Sequence, residues 1–383
     1  MSNRILLELI KESQSADSKP CKGLESADWD FVYKEAVSQA VIGIVANEVP
    51  ASVLSGDPRW KQAIYRQQAN YARYIHAEDD LKKVMDQAEI PFVILKGNAA
   101  AVYYRHPERR KMGDIDFLVP QSEYERAQEV LTKNGYELNN HGENPRHIGY
   151  KKNKVAFELH HHFSYDNMEI EKEVVAGLHQ RITGKIGSHE FPMLPSEANG
   201  LVLLDHMRSH LKSGMGLRQV IDWMMYVNSE LHDSEWDGGF EAIVRDKGMR
   251  KFAMIVTRMC QMYLGLPVTN ITWCREADES LCKRLMTIVM NSGNFGMKNS
   301  SGNHIETVTT KFRRNGILRT MQQAGEYNWK AYKKHHWLRP FAWIYQLFRY
   351  IRLGLKTGRV GKKMNEDFNR SKERTEVLKE MGI

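Results

Sequence analysis

The stretch from Phe92 to Val119 holds residues whose types and spacing could do chemistry on phosphates. A short apolar run ends in Lys96-Gly97, and a second carries Gly113-Asp114-Ile115-Asp116. Residues two apart in a strand share a face, so Asp114 and Asp116 point one way while Ile115 and Phe117 point into a core. Two carboxylates converging in this way suit a hard divalent cation such as Mg²⁺, which binds through one or two carboxylates plus the phosphates of a substrate. The expected substrate is therefore a nucleoside triphosphate.

An acid-apolar-acid triplet arises readily by chance, and Glu169-Ile170-Glu171 is one such. Context distinguishes the pair at 114 and 116. Arg110-Lys111-Met112-Gly113 leads into it, and a third carboxylate follows in Val155-Ala156-Phe157-Glu158-Leu159-His160. That run reads as a strand with Phe157, Leu159 and His161 on one face and Glu158, His160 and His162 on the other. Glu158 can thus complete a carboxylate triad. Lys96-Gly97-Asn98 lies between a predicted strand and a predicted helix, where exposed amides and the helix dipole favour phosphate; an ordinary strand-to-helix turn would also use Gly there. Arg110 either pairs with phosphate oxygens or buttresses the acidic strand.

These residues resemble the uncharacterised nucleotidyltransferase family of the DNA-polymerase-beta-like nucleotidyltransferase superfamily. The resemblance rests on Ile94-Leu95-Lys96-Gly97, on Tyr104 and Pro107 before Arg110, on Gly113 through Val119, and on Glu158-Leu159-His160. It extends upstream to Trp29-Asp30-Phe31 and downstream to Leu217 through Trp223, covering roughly residues 25 to 230. Where the wider superfamily has Gly-Ser, this chain has Gly97-Asn98, and its gap to Asp114 is longer.

The resemblance implies an α+β fold, with a small mixed-sheet polymerase-beta-like domain between N-terminal helices and a C-terminal helical domain. It implies transfer of an NMP group from an NTP to an acceptor (a sugar, glycan, peptide or protein) with release of pyrophosphate. Asp114, Asp116 and Glu158 would be the catalytic residues and the ligands of Mg²⁺ or Mn²⁺. Lys96, Gly97, Asn98, Arg110 and Gly113 would bind the nucleotide, with His160 and Arg218 touching substrate. Two rivals remain: a catalytically inactive nucleotide-binding scaffold close to a membrane, and a nucleic-acid enzyme whose basic segment tracks a phosphate backbone. The sequence has no recognisable RNA- or DNA-binding module, so nucleic acid is not the expected partner.

The histidines do not read as a zinc site. Only His160 and His162 could share the acidic face, and zinc needs more ligands at suitable spacing. His206 and His210 lie four apart on a predicted helix, but Met207, Arg208 and Ser209 stand between them where a zinc protease has its glutamate. Core packing or substrate contact is expected of that pair. Asp205 and Asp222 read as helix caps or buried salt bridges, with Arg218 one turn from Asp222 as its neutraliser.

A chain of 383 residues exceeds one ordinary core, so several units are expected. Pattern changes divide it into an N-terminal helical segment (1–89), an α/β domain (90–192) that the resemblance implies is the nucleotidyltransferase domain, a helical domain (193–310), a basic aromatic segment (311–363) and a charged tail (364–383) that frays. Helices are predicted over 4–13, 29–47 and 58–88, the last with Asp57 as N-cap and Pro58 at its first position. Strand 91–96, helix 98–105, strand 114–119 and helix 122–134 follow, then strands near 135–139, 147–152 and 154–163. Further helices are predicted over 197–212, 217–229, 238–266 and 276–291, and Ser371 to Met381 can form a terminal one.

Charge is concentrated. Between Lys311 and Lys363 stand 14 Lys or Arg and one acid, Glu326, a net +13, so the rest of the chain carries −5 of the total +8. Within this segment Phe341, Ile344, Phe348, Ile351 and Leu355 recur at helical spacing beside Arg349, Arg352 and Lys356, with Trp337, Trp343 and Tyr350 broadening the apolar side. That is a basic amphipathic helix. It either packs on the preceding helices or meets an anionic membrane or a partner groove, with residues 337–356 as the peripheral contact. Cys21, Cys260, Cys274 and Cys282 show no metal-ligand spacing and no disulfide framework. With no basic-then-apolar leader and no apolar run approaching the ~20 residues that span a bilayer, a cytoplasmic protein is expected.

Overall fold

The computed structural model describes residues 2–14, 24, 27–139, 147–164, 167–211, 214–294, 316–329, 331–332, 335–356 and 362–383. Cys21 and the basic residues Lys311, Arg313, Arg314, Lys330, Lys333, Lys334 and Arg359 lie outside them, as do the side chains of Tyr350, Leu355 and Lys356. Among the described residues seven strands form one mixed sheet. They are β1 Val93–Leu95, β2 Ile115–Leu118, β3 Glu137–Leu138, β4 His147–Lys152, β5 Val155–His160, β6 Ile182–Ile186 and β7 His189–Met193. Their order is β3-β4-β5-β2-β1-β7-β6. At the centre β2 runs antiparallel to β1 and parallel to β5, which sets Asp116 beside both Leu95 and Glu158.

The alternation read from the sequence sorts the two faces. Ile94, Ile115, Phe117, Phe157 and Leu159 pack on Leu81, Val84 and Met85 of the helix Pro58–Gln87 and on Ala127 and Leu131 of Tyr124–Lys133. Val93, Leu95 and Leu118 face the other way, into a core shared with the helices Ser196–Leu211 and Leu217–Glu230. Asp116 lies two residues before Leu118 and so shares the face covered by these later helices. The carboxylates therefore sit between the sheet and the helices that follow it.

Several elements depart from the sequence reading. The predicted helix 29–47 is two helices, Trp29–Ser38 and Ile42–Val45, separated at Ala40, whose φ of 58° no helix accepts. The predicted helix 238–266 divides at Gly248, φ 69°, between Glu241–Asp246 and Arg250–Tyr263. Apolar periodicity runs on across both turns and hides them. The helix Met168–His179 and the hairpin of β6 and β7 were not anticipated, although Gly187, at φ 59°, stands at the turn between those strands. The tail does not fray: Lys362–Met381 is helical, and Val377, Leu378 and Met381 are buried in the main core. Arg284 Nη1 holds Glu380 Oε1 at 2.8 Å beside it.

The basic aromatic helix, Ala342–Lys356, packs on Ile317–Asn328 through its small and polar side. Ala342 and Gln346 are buried, Asn328 Nδ2 donates to Gln346 Oε1 at 3.3 Å, and a side chain at Gly325 would collide with the Ala342 backbone. Its apolar stripe faces outward instead: Phe341 is 49% exposed, Phe348 66% and Ile351 50%, with Trp337 at 71% nearby. Among the described residues no helix is long and apolar enough to cross a membrane. Cys260, Cys274 and Cys282 are buried free thiols.

Candidate active site

One face of the long helix Pro58–Gln87 holds the loops that build the site. Gln67, Tyr74 and Glu78 follow one another at spacings of seven and four, which places them on one stripe. Gln67 Nε2 donates to the Arg110 carbonyl at 2.8 Å and to that of Glu108 at 3.0 Å. The Tyr74 hydroxyl donates to the Gly113 carbonyl, fixing the backbone just before Asp114. Glu78 Oε2 accepts from Asn98 Nδ2 at 2.9 Å and contacts His189 Nε2 at 3.1 Å. The turn at Lys96-Gly97 needs this support, because both residues have positive φ, 54° and 38°. Glycine takes that conformation readily, whereas lysine does so at a cost.

The turn aims Lys96 at the acids. Its Nζ lies 2.7 Å from Asp116 Oδ1, and His160 Nε2 approaches the same oxygen at 3.0 Å. Glu158 stands beside Asp116 through the parallel pairing of β2 and β5, 3.5 Å from His160 Nε2 through Oε2 and 3.5 Å from His147 Nε2 through Oε1. Each of Asp114, Asp116 and Glu158 offers an oxygen, and the three oxygens lie within 4.8 Å of one another. These acids line a cavity of about 210 Å³ together with Lys96, Gly97, Arg110, Gly113, His206, His210 and Arg218.

The structure brings the sequence-predicted site residues together, but two of them, Asn98 and His160, do not line the cavity; the buried Asn98 side chain is turned to Glu78. His160 stands behind the acids as their hydrogen-bond partner. Arg110 lines the cavity, yet its guanidinium is committed to Asp222 through two 2.7 Å bonds, Nε to Oδ1 and Nη2 to Oδ2. The Tyr104 hydroxyl donates to the same carboxylate at 2.7 Å. Asp222 has Arg110 as its hydrogen-bonded partner, and its charge also acts on Arg218, the neutraliser that the helical spacing points to. Arg218 reaches the loop before the acids as well, its Nη1 donating to the Lys111 carbonyl at 3.2 Å.

Sequence reasoning missed His147, which enters from β4 directly opposite His160, and underrated His206 and His210. The signal for His147 was its place in a predicted strand; the pairing register was not legible. His206 and His210 touch through their Nε2 atoms at 2.8 Å, so one ring donates its proton to the other.

The two aspartates differ in electrostatics. The charge of Asp116 and burial push Asp114 up to about 6. Burial also acts to raise Asp116, but Lys96 and the His160 hydrogen bond hold it well below the usual carboxylate range. Burial works against the charge on Lys96, and the three acids more than offset it, raising its pKa. Burial lowers His206 well below the ordinary imidazole value, and His210 adds to this, leaving it neutral at neutral pH.

The donor set fits a divalent cation. All three converging ligands are carboxylates, the hard oxygen donors that Mg²⁺ and Mn²⁺ take. The raised proton affinity of Asp114 records a repulsion between acids that a cation would relieve.

No curated protein matches this chain. Residues 25–265 match the family model described as uncharacterised nucleotidyltransferase, which carries the similarity through the helix Arg250–Tyr263, beyond the boundary near 230 that the motifs suggest. With well over half its length so matched, the chain belongs to the uncharacterised nucleotidyltransferase family.

Proposed function

We propose that the protein transfers a nucleotidyl group from an NTP to a nucleophilic acceptor such as a hydroxyl, on a nucleotidyltransferase domain of the polymerase-beta-like kind. The observation that carries this reading is the convergence of Asp114, Asp116 and Glu158 in one cavity beside Lys96 and Arg218. A cation held by the three carboxylates would neutralise phosphate charge and stabilise the attacking and leaving oxygens. The chain's own groups do the rest. Lys96 and Arg218 supply positive charge to the triphosphate, while the Gly97 turn and Gly113 let backbone approach it closely. Arg110 keeps the acidic strand and the helix Leu217–Glu230 together through Asp222. As the acceptor oxygen bonds to the α-phosphorus, the bond from that phosphorus to the bridging oxygen breaks, pyrophosphate leaves, and Glu158 takes the acceptor's proton. A cavity of about 210 Å³ is smaller than the roughly 300–1,000 Å³ of pockets that enclose whole ligands, so it suits the phosphate end, with base and acceptor beyond its mouth.

The acceptor side is tested with Glu158→Gln and NTPs labelled at the α-phosphate, incubated with cell extract. The variant is expected to keep NTP affinity within a few-fold and to lose transfer by roughly 10²-fold or more, because an amide cannot take the proton. Equal loss of NTP affinity in Glu158→Gln and Asp114→Ala would contradict this division of labour. A wild type that binds NTP but labels nothing favours an inactive nucleotide-binding scaffold.

We also propose that the outward stripe of Trp337, Phe341, Phe348 and Ile351 meets an anionic membrane surface. Arg349 and Arg352 are exposed on the same helix, in a segment of net +13, so the face offers both apolar and electrostatic attraction to anionic lipid. A membrane-proximal acceptor such as a lipid-linked glycan follows from this reading.

A further inference from the structure

A second donor set lies beside the three carboxylates and shares Glu158 with them. His147 on β4 pairs directly across from His160 on β5, and Glu158 precedes His160 by two residues, so all three side chains project from one face of the sheet. Nε2 of His147 lies 3.5 Å from Glu158 Oε1, and Nε2 of His160 lies 3.5 Å from Glu158 Oε2. The two rings stand with centroids 4.7 Å apart, and one ligand atom from each of the three residues falls within 4.8 Å of the others. Ligand atoms held at about 2.0–2.2 Å from one ion are about 3–3.5 Å from each other, so the set would close on an ion once His160 Nε2 gives up its 3.0 Å contact with Asp116 Oδ1.

We propose that His147, Glu158 and His160 bind a divalent first-row transition ion next to the all-carboxylate position, with Glu158 bridging the two. Two imidazoles and a carboxylate suit ions such as Mn²⁺, Co²⁺ or Zn²⁺, whereas Mg²⁺ prefers oxygen alone. Three protein ligands leave coordination positions open to water or to an oxygen of the acceptor. Glu158 lines the cavity, which gives the ion a route in. Antiparallel pairing, rather than spacing along the chain, assembles this set, so no sequence motif announces it. What the ion contributes rests on the nucleotidyl-transfer reading; that it binds does not.

The experiment titrates the full chain with Mn²⁺ in the absence of nucleotide and reads pulsed electron paramagnetic resonance for coupling to imidazole ¹⁴N. Wild type is expected to show that coupling, His147→Ala to show it weakened with Mn²⁺ affinity reduced at least tenfold and Mg²⁺ affinity changed less than twofold, and Asp114→Asn to retain it. Bound Mn²⁺ without nitrogen coupling in the wild type would overturn the proposal, as would no Mn²⁺ binding at all. Because the wild-type spectrum decides, a poorly folded variant does not protect the idea. Nitrogen coupling in a protein that transfers no nucleotide would keep the site and sink the transferase reading.

Discussion

Asp114 and Asp116 stand two residues apart and hold their protons in opposite ways. Asp116 carries the charge, balanced by Lys96 and His160, and that charge together with burial raises Asp114 to about 6. The sign for stability follows from the unfolded value of 3.8. Between about pH 4 and 6 folded Asp114 retains a proton that the unfolded chain has released, so its contribution is present at low pH and lost as pH rises through about 6. Asp116 does the reverse: its contribution is present above 3.8 and lost as pH falls through its depressed value. Urea denaturation in EDTA should therefore show Asp114→Asn gaining on the wild type as pH rises from 4.5 to 7, by at most about 2 kcal/mol. Added Mg²⁺ should then raise wild-type stability near pH 7 and leave the variant nearly unmoved. Parallel curves for the two proteins, with and without metal, would contradict this picture. The pair itself was legible in the sequence, because alternation in a strand fixes which side chains share a face. The partition of charge was not, because Lys96 and His160 arrive through the turn and the sheet register.

At the scale of elements, the site depends on two helices closing over the sheet. Ser196–Leu211 carries His206 and His210, Leu217–Glu230 carries Arg218 and Asp222, and the two touch where Gly200 meets the buried Tyr226. A methyl at Gly200 would collide with the Tyr226 ring, which is enclosed and cannot swing aside. Gly200→Ala should therefore destabilise the protein by roughly 1–3 kcal/mol, despite the better helix propensity of alanine, as measured by chemical denaturation. Unchanged or increased stability would show that the helices separate at no cost. Helix existence was readable here from periodicity and from capping, as Asp57-Pro58 illustrates. What escaped was interruption: Ala40 and Gly248 break helices whose apolar pattern continues across them. The polar stripe of Gln67, Tyr74 and Glu78 was equally hidden, since its partners are backbone and side-chain atoms of segments distant in the chain.

Across the whole molecule, charge and apolar surface concentrate away from the half that carries the acidic cavity. The terminal helix Lys362–Met381 docks into the main core, while the helix before it turns its aromatic stripe outward. Composition gave the basic segment, and periodicity gave the stripe, but neither told inward from outward. If that face meets membrane, the wild type should float with anionic liposomes and not with neutral ones. Each arginine at the surface is worth roughly 1 kcal/mol, so Arg349→Glu/Arg352→Glu and Phe341→Ser/Phe348→Ser should each abolish flotation with the fold intact by circular dichroism. Failure of the wild type to float would remove the membrane from the account and leave the acceptor unidentified.

The central claim is that the paired aspartates, with a divalent cation, hold a nucleoside triphosphate in the cavity below Lys96 and Arg218. Calorimetry of the wild type with each NTP, with and without Mg²⁺, tests it most directly, alongside Asp114→Ala and Asp116→Ala. The account predicts NTP binding that requires the metal and weakens at least tenfold in either variant, with both still folded and Asp116→Ala the less stable because Lys96 loses its partner. No metal-dependent nucleotide affinity in the wild type, or undiminished affinity in folded variants, would contradict it.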